Sequence, residues 1–229
     1  MKASIPESPY KPYPKLVIGN TYGWERLAEL GDVVEIESYE LLINPQDDEA
    51  GYCYVVLSGS MAAKKFRRGH EAVTFNIRQR GALLFERHAL IDTNQKEVYF
   101  EALEPTVLKR ITRKQLQDAV TKDPELCFTM IDSLFDKLAS SVDQFEDSHT
   151  RTVPARLLSL LQELAVAATT PQEDATWLHI DLKLSQQTMA DILCVNRVTV
   201  SKALNTLKES GDIRMQGRQI LVNRESLID

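Results

Sequence analysis

The sequence predicts an α+β protein: an N-terminal antiparallel β-roll of the jelly-roll type, a long dimerisation helix and a C-terminal winged helix-turn-helix. Three observations indicate this fold. Short β-like segments fill the first half of the 229 residues, a long helical run follows, and two helices around a tight turn precede a basic hairpin. We expect domain boundaries at residues 1–122 for the N-terminal arm and β-roll, 123–149 for the dimerisation helix and 150–229 for the last domain.

A helical stretch from Tyr22 to Leu30 precedes segments that are typical of strands. Asn44-Pro45, Ser58-Gly59 and Glu104-Pro105 are among the turn signals that separate them. Many short strands at this spacing favour an antiparallel sandwich or barrel. The predicted strands are Val33–Ser38, Tyr52–Leu57, Met61–Phe66, Ala72–Ile77, Val98–Leu103 and Val107–Ile111.

Two helices follow the β region. The first spans Arg113–Thr121, and the second begins at Asp123-Pro124 and continues to about Ser148. The second could pack against its own domain or pair with the same helix of another chain. A helix this long leaving a β domain favours a homodimer. Its seam alternates steps of four and three through Cys127, Ile131, Leu134, Leu138, Ser141 and Phe145.

A hinge at Ser148–Val153 and a helix opened by Pro154, which continues to about Ala168, lead to a strand at Thr176–Leu182. Ser185 is then a good N-cap for a helix with Met189, Ile192 and Leu193 on one side. After a turn at Cys194-Val195, Asn196 caps a second helix, Arg197 to about Ser210, which Gly211 closes. Its predicted inner face comprises Val200, Ala203, Leu204 and Leu207.

Two strands, Asp212–Met215 and Gln219–Val222, flank a turn that contains Arg218. This is the shape of a wing whose arginine can reach a phosphate. The whole chain carries a net charge of −6, but residues 195–224 contain six basic residues against two acidic ones. A helix-turn-helix with this local positive charge favours binding to double-stranded DNA over a plain helical hairpin.

Other features narrow the class of protein. Cys53, Cys127 and Cys194 are too scattered for a disulfide framework or a zinc or iron–sulfur site, so no metal is expected. The start lacks the apolar core of a signal peptide, and no run is long enough to span a bilayer. We therefore expect a cytoplasmic protein without a membrane partner.

The segment "LSQQTMADILCVNRVTVSKALNTLKESGDI" from residue 184 carries a clear resemblance. From about Tyr22 to Asp229 the chain resembles the cyclic-AMP receptor protein/fumarate-nitrate regulator (CRP/FNR) family of transcriptional regulators. The "VTVS" run is similar to the branch that regulates halorespiration. The resemblance implies RNA polymerase and an inverted-repeat DNA site as partners.

The same resemblance implies roles for residues of the second helix of this segment. Arg197, Val198, Ser201 and Lys202 would face base edges, and Thr199 would contact phosphate. Where many members carry glutamate, this chain has Val198, which cannot accept a hydrogen bond from cytosine but can touch a thymine methyl. We therefore expect A·T-rich half-sites.

The resemblance also implies an effector pocket in the β-roll. The family binds cyclic nucleotide through a Gly-Glu pair and a later Arg-Ser pair, where this chain has Phe85-Glu86 and Lys96-Glu97. Glu97 would oppose the cyclic phosphate and Phe85 adds bulk, so we predict no useful cyclic-AMP binding. A small organic effector, aromatic or acidic, is expected instead. Its predicted lining is Phe85, Glu86, Lys96, Tyr99 and Ser141.

Several alternatives stay open. His88 lies close to the place where haem-binding members ligate iron, and Cys53 or Cys127 could sense oxidation. From other classes, a β-roll enzyme of the cupin kind needs clustered histidine and carboxylate ligands, whereas the four histidines here are scattered. A protein-binding module without DNA binding is disfavoured by Arg197, Lys202 and Arg218. No cofactor is expected.

Overall fold

A computed structural model describes residues 16–19, 24–43, 51–67, 70–90, 98–168, 176–217 and 219–226. The N-terminal domain consists mainly of strands, with two short helices, α1 (Glu25–Glu29) and α2 (Glu86–Leu90). Its strands are β1 (Val17–Ile18), β2 (Asp32–Ile36), β3 (Leu41–Leu42), β4 (Tyr52–Ser58), β5 (Ser60–Arg67), β6 (His70–Gln79), β7 (Leu83–Leu84), β8 (Val98–Ala102) and β9 (Thr106–Thr112).

These strands form two sheets. Among the described residues, one sheet has the order β1-β6-β5-β8-β3 and the other the order β2-β9-β4-β7. All neighbouring pairs are antiparallel except β1 with β6, which run parallel. Met61, Leu84 and Leu108 are fully buried in an apolar core to which both sheets contribute. The predicted antiparallel β-roll is confirmed.

Two helices connect the β-roll to the rest of the chain. Helix α3 (Arg113–Lys122) begins with a capping box between Thr112 and Gln115. Helix α4 (Pro124–Thr150) begins at the predicted Asp123-Pro124 pair, where the Asp123 side chain accepts a hydrogen bond from the Glu125 backbone. The predicted hinge is shorter than expected, because α4 continues to Thr150.

Helix α4 has two different faces. One stripe packs against its own domain, whereas the seam predicted from the sequence is exposed. Packing against its own domain and pairing with a second chain are therefore compatible, because adjacent stripes of the helix can make the two contacts. The inward stripe again alternates steps of four and three, through Leu126, Met130, Ser133, Lys137 and Ser140.

The C-terminal domain comprises α5 (Val153–Val166), β10 (Trp177–His179), α6 (Gln186–Ile192), α7 (Arg197–Ser210), β11 (Ile213–Gln216), β12 (Gln219–Asn223) and a 3-10 turn (Arg224–Ser226). Its strands pair antiparallel in the order β10-β12-β11. Three of its helices begin at side-chain N-caps, Thr152, Ser185 and Asn196. Gly211 ends α7 with a φ of 83°, which glycine adopts without strain.

Four short elements were not predicted from the sequence: β1, β3, β7 and α2. The three strands have two residues each, too few to show alternation, and α2 is barely more than one turn. The polar connection at residues 169–175 and the start of the first predicted helix lie outside the described residues. No helix in the described part of the chain is both long and apolar enough to cross a bilayer.

Candidate nucleic-acid interface

The turn between α6 and α7 is held by local geometry and by α5. Cys194 adopts a left-handed φ of 54°, and the Val195 N–H donates to the Ala190 carbonyl at 2.9 Å. From α5, Nη2 of Arg156 donates to the carbonyl of Leu193 at 2.5 Å. A cation at the C-terminal end of a helix is favoured by the helix dipole. Arg156 therefore helps to fix α6 and the turn relative to α5.

Helix α7 separates an apolar and a polar face, as predicted. Val200, Ala203, Leu204 and Leu207 are buried in the domain core. On the other side, the candidate base-contacting residues are accessible. Because these side chains lie outside the domain core, they are available to contact a partner. Arg197, Val198, Lys202 and Asn205 are exposed and Ser201 is half-buried.

Thr199 has a structural role at the start of α7. Its N–H and its hydroxyl both donate to Oδ1 of Asn196, at 2.8 and 2.9 Å. The hydroxyl proton that a phosphate would accept is therefore already used in the cap. A phosphate contact by Thr199 requires this bond to be exchanged, so that role stays a prediction.

The wing is a hairpin of β11 and β12 with Gly217 at its tip, at a φ of 62°. The guanidinium of Arg214 on β11 lies 4.5 Å from the ring centre of Trp177 on β10. This cation–π contact holds an exposed cation on the wing surface, at a position that no sequence motif indicates. Arg218 lies outside the described residues.

The predicted effector residues are only partly brought together. Phe85 is buried, at a φ of 56°, with its ring 4.8 Å from that of Phe100 and 6.0 Å from that of Tyr54. Glu86 follows it at the start of α2. The left-handed φ explains why glycine suits this position in the family that the chain resembles.

Glu86 belongs to a buried cluster of charges. Nζ of Lys137 on α4 forms a very short hydrogen bond and ion pair with Oε1 of Glu86. Burial raises the pKa of the Glu86 carboxyl, but the charges of Lys137 and Arg78 outweigh it, so this pKa lies below its ordinary value. Burial also lowers the pKa of the Lys137 ammonium, against the opposing effect of Glu86.

Two residues of this region lacked an evident motif. Lys137 is the one basic member of the inward stripe on α4, and that spacing could have identified it. Asn76 on β6 is buried, and its Oδ1 has no hydrogen-bond partner among the described residues. Most buried polar atoms have a hydrogen-bond partner, so this oxygen is a candidate ligand contact.

The remaining effector predictions fall elsewhere. Tyr99 stacks on Phe66 at 4.4 Å and, as the strand neighbour of Phe100, faces the opposite side of the sheet from Phe85. Ser141 is exposed, on the outward seam of α4, and donates to the Lys137 carbonyl. Lys96 and the side chain of His88 lie outside the described residues.

The thiols differ strongly in environment. Cys53 is fully buried, and burial with the nearby Glu86 charge raises its pKa to about 12. The thiolate is the reactive form of cysteine, so burial and this raised pKa disfavour Cys53 as a sensor of oxidation. Cys127 and Cys194 are exposed. In the described part of the chain, no three His, Cys, Asp or Glu side chains are grouped to hold a metal ion.

The outward seam of α4 forms an exposed apolar surface. Leu134 is 47% exposed, Leu138 59% and Phe145 69%, and Phe135 beside them is 64% exposed. Contiguous exposed apolar side chains on a soluble domain mark an interaction surface. We call residues Cys127, Phe128, Ile131, Leu134, Phe135, Leu138, Ser141, Val142 and Phe145 the α4 seam.

Comparison with known proteins supports these features. Residues 155–229 match the Crp-like helix-turn-helix domain. The global nitrogen regulator of Nostoc sp. strain PCC 7120 is 26% identical over 179 residues, 77% of this chain and 79% of that protein. The global nitrogen regulator of Synechocystis sp. strain PCC 6803 is 25% identical over 178 residues, 77% and 78% of the two chains.

Solved structures show the same fold. FixK2 from Bradyrhizobium japonicum superposes with a TM-score of 0.69 at 19% identity, covering 85% of this chain and 92% of that one. A transcriptional regulator of the CRP/FNR family from Thermus thermophilus gives a TM-score of 0.65 at 21% identity, covering 83% and 93%.

The helix-turn-helix with its exposed polar face, its wing and its domain match define a DNA-binding transcriptional regulator. The superpositions on FixK2 and on the Thermus thermophilus regulator cover most of the chain, so the likeness of fold extends beyond the helix-turn-helix domain. Residues 155–229 match the Crp-like helix-turn-helix domain, and the chain has the fold of solved CRP/FNR regulators.

Proposed function

We propose that this regulator binds inverted-repeat, A·T-rich DNA sites as a homodimer, and that it acts with RNA polymerase in the cytoplasm rather than as an enzyme. The exposed polar face of α7 carries this proposal, because its residues have no part in the domain core. Arg197 and Lys202 supply donors, and Val198, 64% exposed, supplies an apolar contact for thymine.

A salt-dependent DNA-binding measurement tests this function. Wild-type protein should bind selected sites with an affinity that falls steeply as salt rises. Arg218→Ala should weaken all sites alike and reduce the salt slope by about one. Lys202→Ala should weaken the preferred site more than a random one. Equal loss on both kinds of site would contradict a role of Lys202 in base readout.

The α4 seam supports a symmetric dimer. Its apolar side chains repeat at the spacing of a helix pair, and the seam runs along most of α4. In such a pair, one seam covers the same seam of the second chain, which is the geometry of a two-fold interface. Ser141 then lies between the two α4 helices.

We infer that a small acidic molecule other than cyclic AMP is the effector, and that it binds near Glu86. Support comes from Lys137 and Arg78, which place two positive charges beside one carboxylate, and from the buried Oδ1 of Asn76. Lys96 and Phe85 are retained in this proposal as predicted contacts. A ligand with a carboxylate and a hydrogen-bond donor would suit both groups.

Thermal shift against a panel of metabolites tests the effector. Organic acids should raise the melting temperature of the wild-type protein, and Lys137→Met should abolish that increase. Isothermal calorimetry should find no cyclic-AMP binding in the micromolar range. Stabilisation by cyclic AMP and not by any acid would contradict the proposed chemistry.

We propose regulation without a resident cofactor. The absorption spectrum of the purified protein checks this directly, since haem bound through His88 would give an intense band near the ultraviolet edge of the visible range. A spectrum with such a band, lost in His88→Ala, would replace this proposal with haem sensing.

A further inference from the structure

The first strand of the β-roll, with the residues on either side of it, contacts the DNA-binding domain. The backbone N–H groups of Leu16 and Val17 both donate to Oε2 of Glu163 on α5, at 2.8 and 2.9 Å. Hydrogen bonds to an ionised acceptor are stronger than those between neutral groups. We call residues 16–19 the strap, because they join parts of the chain almost 150 positions apart.

The strap is at the same time a strand of the β-roll. Val17 lies opposite Ile77 and Ile18 opposite Arg78, and the Ile77 N–H donates to the Leu16 carbonyl at 2.9 Å. At the end of the strap, a Cβ on Gly19 would lie 2.7 Å from the carbonyl oxygen of Arg80. A side chain at this position cannot be accommodated without moving the backbone, so the strap is closely seated on the β6 edge.

The two domains share an apolar core at this point. Leu16, Val17 and Ile77 belong to the same buried cluster as Leu160 of α5 and Met189 of α6. Helix α6, the first helix of the helix-turn-helix, lies directly against β6. The DNA-binding domain is therefore docked on the β-roll through β6 and the strap together.

Strand β6 also borders the proposed effector site. Ile77 faces the shared core, whereas its neighbour Arg78 acts on the Glu86–Lys137 pair. Successive strand residues face opposite sides of a sheet. Strand β6 thus connects the charged cluster with the DNA-binding helices, and the strap pairs with the edge of this strand.

We propose that Glu163 is a positioning residue for DNA binding. By accepting both strap N–H groups, it fixes the DNA-binding domain on β6 and sets the orientation in which α7 is presented. The effect on DNA rests on the proposed function, whereas the effect on domain orientation does not. A domain held in one orientation loses less freedom when two half-sites are bound together.

Three variants of the full-length dimer test the role of Glu163. Glu163→Leu removes the acceptor, Glu163→Gln keeps an oxygen that can accept both N–H groups, and Glu225→Leu is the matched control at an exposed site in the same domain. Hydrogen exchange followed by mass spectrometry reports on the amides of Leu16, Val17 and Ile77. DNA affinity is measured on the preferred site.

Glu163→Leu should accelerate exchange of these amides by about tenfold and weaken DNA binding several-fold. Glu163→Gln should retain most of the slow amide exchange and most of the DNA affinity, and Glu225→Leu should match wild type in both measurements. Unchanged exchange in Glu163→Leu, or tighter DNA binding, would overturn the proposal. If wild type itself binds no DNA, the exchange result still decides whether the strap is held by Glu163.

Gly19→Val provides an independent route, because it displaces the strap from β6 without altering α5. It should reproduce the faster exchange and the weaker DNA binding of Glu163→Leu. If Glu163→Leu fails to fold, Gly19→Val carries the test alone. Normal exchange and normal affinity in Gly19→Val would contradict the strap as an interdomain tether.

Discussion

Phe85 shows how one side chain can outweigh an unfavourable backbone. A non-glycine residue in the left-handed region costs about 1–2 kcal/mol, whereas deleting a buried phenylalanine costs about 3–5 kcal/mol. The ring contacts with Phe100 and Tyr54 should therefore retain phenylalanine at this strained φ.

We predict that Phe85→Gly destabilises the protein by about 2 kcal/mol, because the lost ring contacts exceed the relieved strain. Phe85→Ala should be worse, since it loses the ring and keeps the left-handed φ. Urea denaturation of the three proteins gives the order. Greater stability of the alanine variant would show that the backbone at residue 85 is not strained.

The buried pair gives a second residue-scale prediction. Lys137→Met leaves Glu86 buried without its hydrogen-bonded partner and should cost about 3 kcal/mol at neutral pH. Combining it with Glu86→Gln should recover much of this loss. Chemical denaturation at neutral pH measures both, and equal stability of the single and double variants would contradict the coupling.

The sign of the pH dependence follows from the pKa of Glu86, which lies below its ordinary value. In wild type, the pair stabilises the fold above the ordinary carboxyl pKa, and this contribution disappears as pH falls through the lower folded value. Removing Lys137 raises the Glu86 pKa, so Lys137→Met should lose less stability on acidification than wild type does.

Val198 gives the residue-scale prediction for DNA. Val198→Glu should shift the preferred half-site towards G·C, with a penalty of about 1–3 kcal/mol per mismatched base pair on the original site. Because Val198 is exposed, the change should leave the fold intact. Selection from random DNA measures the shift, with Val166→Glu, exposed on α5, as control. Recovery of the wild-type motif by Val198→Glu would place α7 in another register.

At the scale of elements, α4 carries the dimerisation prediction. Leu134→Lys with Leu138→Lys should give monomers, since each places a charge in the middle of an apolar seam. DNA binding should fall with dimerisation. Sedimentation measures the mass of the particle, and Val166→Lys is the control for an exposed apolar site elsewhere. An unchanged dimer would exclude the α4 seam.

Regular elements followed from the sequence because their spacing repeats. The bounds of α7 and its Asn196 cap match the prediction, and all six strands predicted in the β-roll are present. Two stripes of α4 were harder to separate, because the positions of each lie next to those of the other. The seam predicted from the sequence is the exposed stripe, and Lys137, which lies on the inward stripe, was not predicted as a site residue.

The effector site could not be assembled from sequence because it depends on strand faces. Tyr99 and Phe100 are adjacent, yet only Phe100 meets Phe85. Arg78 and Asn76 became candidates only once β6 was aligned with β5 and its bulge was known. Contacts between residues distant in sequence, such as Glu163 with Val17, have no local pattern at all.

For the whole molecule, the distribution of charge matters more than its total. The chain is acidic overall, but residues 195–224 are positive and lie on α7 and the wing. An acidic remainder repels DNA from other surfaces, and the basic segment attracts it at the recognition helix. The proposed dimer should therefore approach DNA in one orientation, with both α7 helices towards the duplex.

That orientation predicts a fixed spacing between half-sites. A two-fold dimer presents two recognition helices that enter successive major grooves on one side of the duplex, about 34 Å apart.

Inserting about five base pairs between the half-sites turns the second one to the opposite side of the DNA, so binding should fall to the level of a single half-site. Inserting a full helical turn returns the second half-site to the same side of the DNA but leaves it too far from the first. Affinity should therefore recover little, because the paired α4 helices fix the separation of the two recognition helices. Mobility-shift titrations on the three duplexes measure this, with the Leu134→Lys/Leu138→Lys variant as control, since a monomer should bind all three alike. Equal affinity of the wild-type dimer for the native and the five-base-pair duplex would contradict simultaneous contact with both half-sites.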